Sequence, residues 1–153
     1  MSVLNTGLAT PASGYDIPNS LRFNDDDSAY LSWTPSSAGN RKTWTWSGWV
    51  KRGNSSYQVI FSAGPSSSPT VLNFESDKLR FYLTSGRLTT NQLFRDPSAW
   101  YHIVITLDTE NSTSSDRQRM YINGTRVTSF SEETYVNSGT AFAINDNVAH
   151  EIG

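Results

Sequence analysis

The chain has 153 residues, a formal net charge of −2, no cysteine, and 12% aromatic residues. That length suits one domain with a real core, and so much aromatic side chain excludes a disordered chain. No Lys/Arg cluster exceeds the pairs Arg41-Lys42 and Lys51-Arg52, and no apolar run reaches the roughly 18 residues that cross a bilayer, so neither a nucleic-acid surface nor membrane insertion is expected.

Residues 1–18 are Gly, Pro, Ser and Thr punctuation, which reads as an extended leader or attachment segment. They lack the basic and apolar stretches of a signal peptide. With no cysteine and no secretory signal, the Asn-x-Ser/Thr triplets at Asn54, Asn111 and Asn123 read as chance matches.

A single β domain is expected over residues 19–153. Leu21-Arg22-Phe23 alternates into the turn Asn24-Asp25-Asp26-Asp27, and Ala29-Tyr30-Leu31 follows. Thr43 to Lys51 (TWTWSGWVK) carries the densest strand signal, being rich in β-branched and aromatic residues. Alternation puts Trp44, Trp46 and Val50 on the core face and Trp49 on the other, where cover from both sides would still bury it. Val59-Ile60-Phe61 precedes a Gly-Pro-Ser loop. Val71–Phe74 and Leu79–Thr84 pair across Glu75-Ser76-Asp77-Lys78. Trp100 to Leu107 (WYHIVITL) is apolar on both faces, which predicts a mid-sheet position. Arg119 to Val127 reads as a hairpin with Asn123-Gly124 in a type I′ turn. Ala141–Ile144 and Val148–Ile152 read as two final strands, the last leaving an open sheet edge. Many short strands at turn intervals of about 8–12 residues predict an all-β sandwich.

Taken in order, SLRFNDDDSAYL, TWTWSGWVKRG, SAWYHIVITLD and MYINGTRV resemble the landmarks of concanavalin A-like, laminin-G-like (pentraxin-like) jelly rolls, in particular those of tailed-phage virion proteins. The resemblance spans about residues 15–153. It implies a two-sheet antiparallel jelly roll whose N- and C-terminal strands lie side by side. The family's closing run should follow His150-Glu151-Ile152-Gly153 and is not seen, which implies an incomplete sandwich or one completed by another chain. The implied role is non-catalytic binding of a glycan or other host-surface ligand, in some members of the family through Ca2+, by a homo-oligomer or array with other virion subunits, in a phage particle assembled in the host cytoplasm. A purely structural assembly or decoration domain is the alternative reading.

The fold also hosts endo-glycanases, and a retaining glycosidase needs two carboxylates about 5–5.5 Å apart. Enzymatic members resembling this fold carry Glu-x-Asp-x-x-Glu or Glu-x-Asp-x-Glu on one strand. The nearest match, Glu75-Ser76-Asp77-Lys78-Leu79-Arg80, lacks the second Glu and falls in a turn. His102 reads as a structural residue within its strand. His150-Glu151 could open a His-Glu-x-x-His zinc motif, but that motif needs a helix and the context is β. Asp25, Asp27, Asp108 and Asp146 are expected to ligate Ca2+ if one rim of the sandwich gathers them; solvated turns explain them otherwise. Sugar rings stack their C–H faces on flat aromatics. Trp33 and Tyr57, in polar surroundings, are the expected ligand-binding platforms.

Overall fold

The computed structural model describes residues 19–53 and 57–153. The expected leader 1–18 and the Asn54 triplet lie outside the described residues. The strands are β1 (Leu31–Trp33), β2 (Thr43–Lys51), β3 (Tyr57–Ala63), β4 (Thr70–Glu75), β5 (Lys78–Leu83), β6 (Gly86–Thr90), β7 (Trp100–Asp108), β8 (Gln118–Ile122), β9 (Thr125–Arg126), β10 (Phe130–Thr134) and β11 (His150–Ile152). Among the described residues they form two antiparallel sheets. The larger has the order β1-β11-β3-β4-β5-β6-β10, and the smaller β2-β7-β8-β9.

Period-2 alternation builds the core between them. Trp44 of β2 and Ile103, Ile105 and Leu107 of β7 point inward from the smaller sheet. Leu72, Phe74, Leu79, Phe81 and Leu83 point inward from the larger one. Trp44 meets Phe81 edge-on, with ring centroids 5.9 Å apart. Strand β7 lies mid-sheet between β2 and β8, as its two apolar faces predict. Both hairpin turns adopt the left-handed backbone that closes a two-residue loop. Ser76 and Asp77 have φ of 50° and 67°, and Asn123 and Gly124 have 49° and 80°.

Three expectations are corrected. Residues 21–23 form no strand; a single 3-10 turn over Asp25–Asp27 precedes β1. Ala141–Ile144 is no strand either. Phe142, Ala143 and Ile144 are buried, but as a loop whose backbone is tied to Arg41 and to the Asp146 turn. The last strand leaves no open edge: β11 is paired on both sides, to β1 and to β3. The first and last strands thus lie side by side, as the resemblance implied.

Among the described residues the open edges belong to β1 and β10 in one sheet and to β2 and β9 in the other. Because the smaller sheet is narrower, the larger one overhangs it. One core-facing row runs Leu88, Phe81, Leu72, Phe61, Ile152, Leu31. Exposure along it climbs from 0% at Leu88 to 9% at Phe61, 42% at Ile152 and 52% at Leu31. The row leaves cover just past Phe61, which packs against Trp46 of the edge strand β2.

Candidate ligand-binding face

The outward positions of the smaller sheet form the most ligand-like surface among the described residues. Register sets Lys51 beside Trp100, Trp49 beside His102, Ser47 beside Val104 and Thr45 beside Thr106. Across β7, Val104 faces Tyr121 and Thr106 faces Arg119. A band of Trp100, Trp49, His102 and Tyr121 results, carried on rigid paired strands. Trp49 is 52% exposed and Trp100 46%. The rings of Trp49 and His102 lie 5.1 Å apart with planes 32° from parallel, and Ser47 Oγ is 3.0 Å from His102 Nε2. That bond and the stack fix the imidazole, leaving an aromatic surface bordered by hydroxyls. Such a surface offers apolar faces for sugar C–H groups and donors and acceptors for their hydroxyls.

Alternation alone turns Trp49 away from the core; the structure leaves it exposed instead of covered. His102 holds a place in this band and is not simply packed within its strand. The two aromatics singled out from sequence lie elsewhere and apart. Trp33 is exposed on β1, in the row of His150 and Ala63, with its ring 5.9 Å from that of His150. Tyr57 is exposed at the far end of β3, paired with Glu75. The length of β3, about 20 Å, separates them.

The outer face of the larger sheet is charged instead. The guanidinium carbons of Arg80 and Arg87 sit 5.4 Å and 5.5 Å from the Tyr82 ring centroid. Arg80 pairs with Glu75, and Arg87 with Glu132 at 3.2 Å. The Thr89 hydroxyl donates to Glu132 at 2.9 Å, and that bond, ahead of Arg87, holds the Glu132 carboxyl below the usual range. A groove of 540 Å³ runs beside them, lined in part by Tyr82, Thr84, Arg87, Glu132 and Thr134. Its arginine and Glu132 already satisfy each other.

The carboxylates of the nearest glycosidase match are engaged as well. Glu75 holds Arg80, while Asp77 accepts from Arg52 at 2.6 Å and from Arg95 at 3.0 Å. His150 uses both ring nitrogens locally, one with the Asn145 N–H at 3.0 Å and one with the Val148 carbonyl at 2.8 Å. It lies in β11, so no helix presents a zinc pair.

The four aspartates are not brought together. Asp146 is ion-paired with Arg41 at 2.9 Å, and Asp108 caps the Glu110 N–H at 3.2 Å. Both flank the loop leading into β2. Asp25 and Asp27 precede β1 at its opposite end, where Gly153 lies against Phe23 and the Ala29 carbonyl. Asp27 accepts from Asn24 at 2.8 Å. Among the described residues no three His, Asp or Glu side chains gather as a metal site would require.

A family model described as the concanavalin A-like lectin/glucanases superfamily, of laminin G type, matches residues 25–150. The chain belongs to this superfamily. Among solved structures this laminin-G-type chain is similar to domains LG4-5 of the mouse laminin α1 chain, at 15% identity and a TM-score of 0.55. The match covers 81% of this chain and 31% of that one, so it speaks to the fold alone. No curated protein matches. The superfamily's description names both lectins and glucanases, so membership leaves the role to the chemistry of this chain's own faces.

Proposed function

We propose that this laminin-G-type domain is a non-catalytic carbohydrate-binding module. The observation that carries the reading is the exposed Trp100–Trp49–His102–Tyr121 band on paired strands. The engagement of Glu75 and Asp77 in ion pairs supports binding over hydrolysis. The order of the sequence landmarks supports a setting on a tailed-phage virion, with host-surface glycan as ligand and many copies offsetting weak single-site affinity.

A glycan-array screen followed by titration tests the reading. Trp49→Ala and Trp100→Ala should each weaken binding about tenfold or more, while circular dichroism stays that of the parent because both rings are exposed. Binding should be the same in millimolar Ca2+ and in EDTA, given the scattered aspartates. Undiminished binding by both folded variants would exclude the aromatic band as the site.

A second reading, an assembly role, is favoured by the open β2 edge beneath the overhanging row. An extended segment of another chain with apolar residues at alternate positions would pair with β2 and cover Leu31, Trp33 and Ile152. Leu31→Lys should then abolish co-assembly with other virion subunits in sedimentation while leaving glycan binding unchanged; intact co-assembly would count against it.

A further inference from the structure

The aromatic band is held between paired strands except at one corner. Strand β2 pairs with β7 along its whole length, from Asp108 to Trp100. On the other side of β7, pairing with β8 runs from Leu107 to Ile103 and stops there. Trp100 and His102 therefore lie where β7 has a neighbouring strand on one side alone among the described residues. The residue of β8 that pairs last is Ile122. Asn123 follows it and, with φ of 49°, turns out of the strand.

Asn123 nevertheless makes the next two bonds of the ladder. Its N–H donates to the His102 carbonyl at 2.8 Å, and its side-chain Oδ1 accepts the His102 N–H at 2.9 Å. In a continuing antiparallel ladder the facing residue's own carbonyl takes that second bond. Here a carboxamide stands in for it, one residue past the end of the strand. Glycine would suit the same left-handed backbone but bring no acceptor.

Resting on the carbohydrate reading, we infer that Asn123 is a positioning residue of this face, acting through His102. Its carboxamide extends the grip of β8 by one residue and holds the His102 backbone from the side opposite β2. The imidazole is then set in one place, stacked on Trp49 at 5.1 Å and bonded to the Ser47 hydroxyl at 3.0 Å. Trp100, two residues earlier, shares the clamp. A ligand meets rings that are already ordered, so binding need not order them. The clamp is exposed, so water takes the His102 N–H when the carboxamide is removed; the fold stands while the rings loosen.

Two substitutions separate positioning from direct contact. Asn123→Gly keeps the turn and removes the clamp. Asn123→Asp keeps the acceptor but loses the amide donors available to a ligand. Both should retain the parent's circular dichroism, since each residue tolerates the turn. The probes are chitohexaose, cellohexaose and xylohexaose, neutral chains whose rings offer C–H faces. For whichever binds wild-type protein most tightly, Asn123→Gly should weaken affinity about five- to tenfold and Asn123→Asp by no more than about twofold. Without ligand, amide exchange at His102 should quicken about tenfold or more in Asn123→Gly and stay near the parent's in Asn123→Asp, with Ile105 unchanged in both. Unaltered affinity or unaltered His102 exchange in Asn123→Gly would overturn the positioning role and leave the carbohydrate reading standing. Equal loss of affinity in both variants would overturn it as well, being the mark of a direct amide contact. Failure of folded wild-type protein to bind any of the three sugars would overturn both readings.

Discussion

Replacing Phe81 by alanine is expected to destabilise the domain by about 3–5 kcal/mol, the cost of emptying a well-packed aromatic site. Phe81 is fully enclosed, flanked along its row by Leu72 and Leu88 and met edge-on by Trp44 from the other sheet. It therefore ties the sheets together at a point where neither can collapse into the gap. Since domains of this size are stable by only about 5–15 kcal/mol, urea titration should show a midpoint shifted far downward. Leu31→Ala, on the same row but beyond the edge of the smaller sheet, should cost under about 1 kcal/mol. Similar losses for the two would mean that the overhanging strip is covered after all.

The second large effect concerns the buried guanidinium of Arg52. It donates to Asp77 and to the Phe94 carbonyl and lies 5.5 Å from the Phe74 ring centroid. Arg52, ahead of Arg95, holds the Asp77 carboxyl below the ordinary aspartate range through hydrogen bonds. A depressed folded-state pKa adds stability that is present above the ordinary value, near about 3.9, and is lost as pH falls through the folded value. Thermal melts of the parent should thus lose stability in this acid window. Asp77→Asn should be less stable at neutral pH and flatter below about pH 4. Asp77→Ala should also cost more than Asp116→Ala, whose partner Arg126 is exposed. Parallel pH profiles for parent and Asp77→Asn would remove Asp77 from the account.

The strands that sequence made legible are those in which strict alternation coincides with large side chains. TWTWSGWVK and WYHIVITL announce both their faces, and in the structure they form the most extensive strand pair. GRLTT and FSEET, which become β6 and β10, carry no such contrast: one is short and small, the other an exposed edge. Phe142-Ala143-Ile144 misled for the opposite reason, since burial alone does not distinguish a strand from a loop packed under a sandwich. The candidate face was half legible. Alternation turned Trp49 outward and set Trp100 with His102, but only the β2–β7 register, which joins residues more than 50 apart, brings the two sets together. Nor could local sequence show that Arg41 claims Asp146, or that Asp25 and Asp108 lie at opposite ends of the sandwich.

The place of β11 bears on how the domain is made. Among the described residues strand β1 is paired to β11 alone, so within them residues 31–33 have no sheet partner until residues 150–152 have left the ribosome. The hairpins β4–β5 and β8–β9 can form from neighbours in sequence, whereas this joint closes the longest loop among the described strand pairs. Loop-closure entropy makes such a contact late and slow. Synthesis should therefore yield a long-lived species with its central strands paired and the Leu31–Trp33 segment waiting, open to capture by a neighbouring nascent chain until β11 slots in.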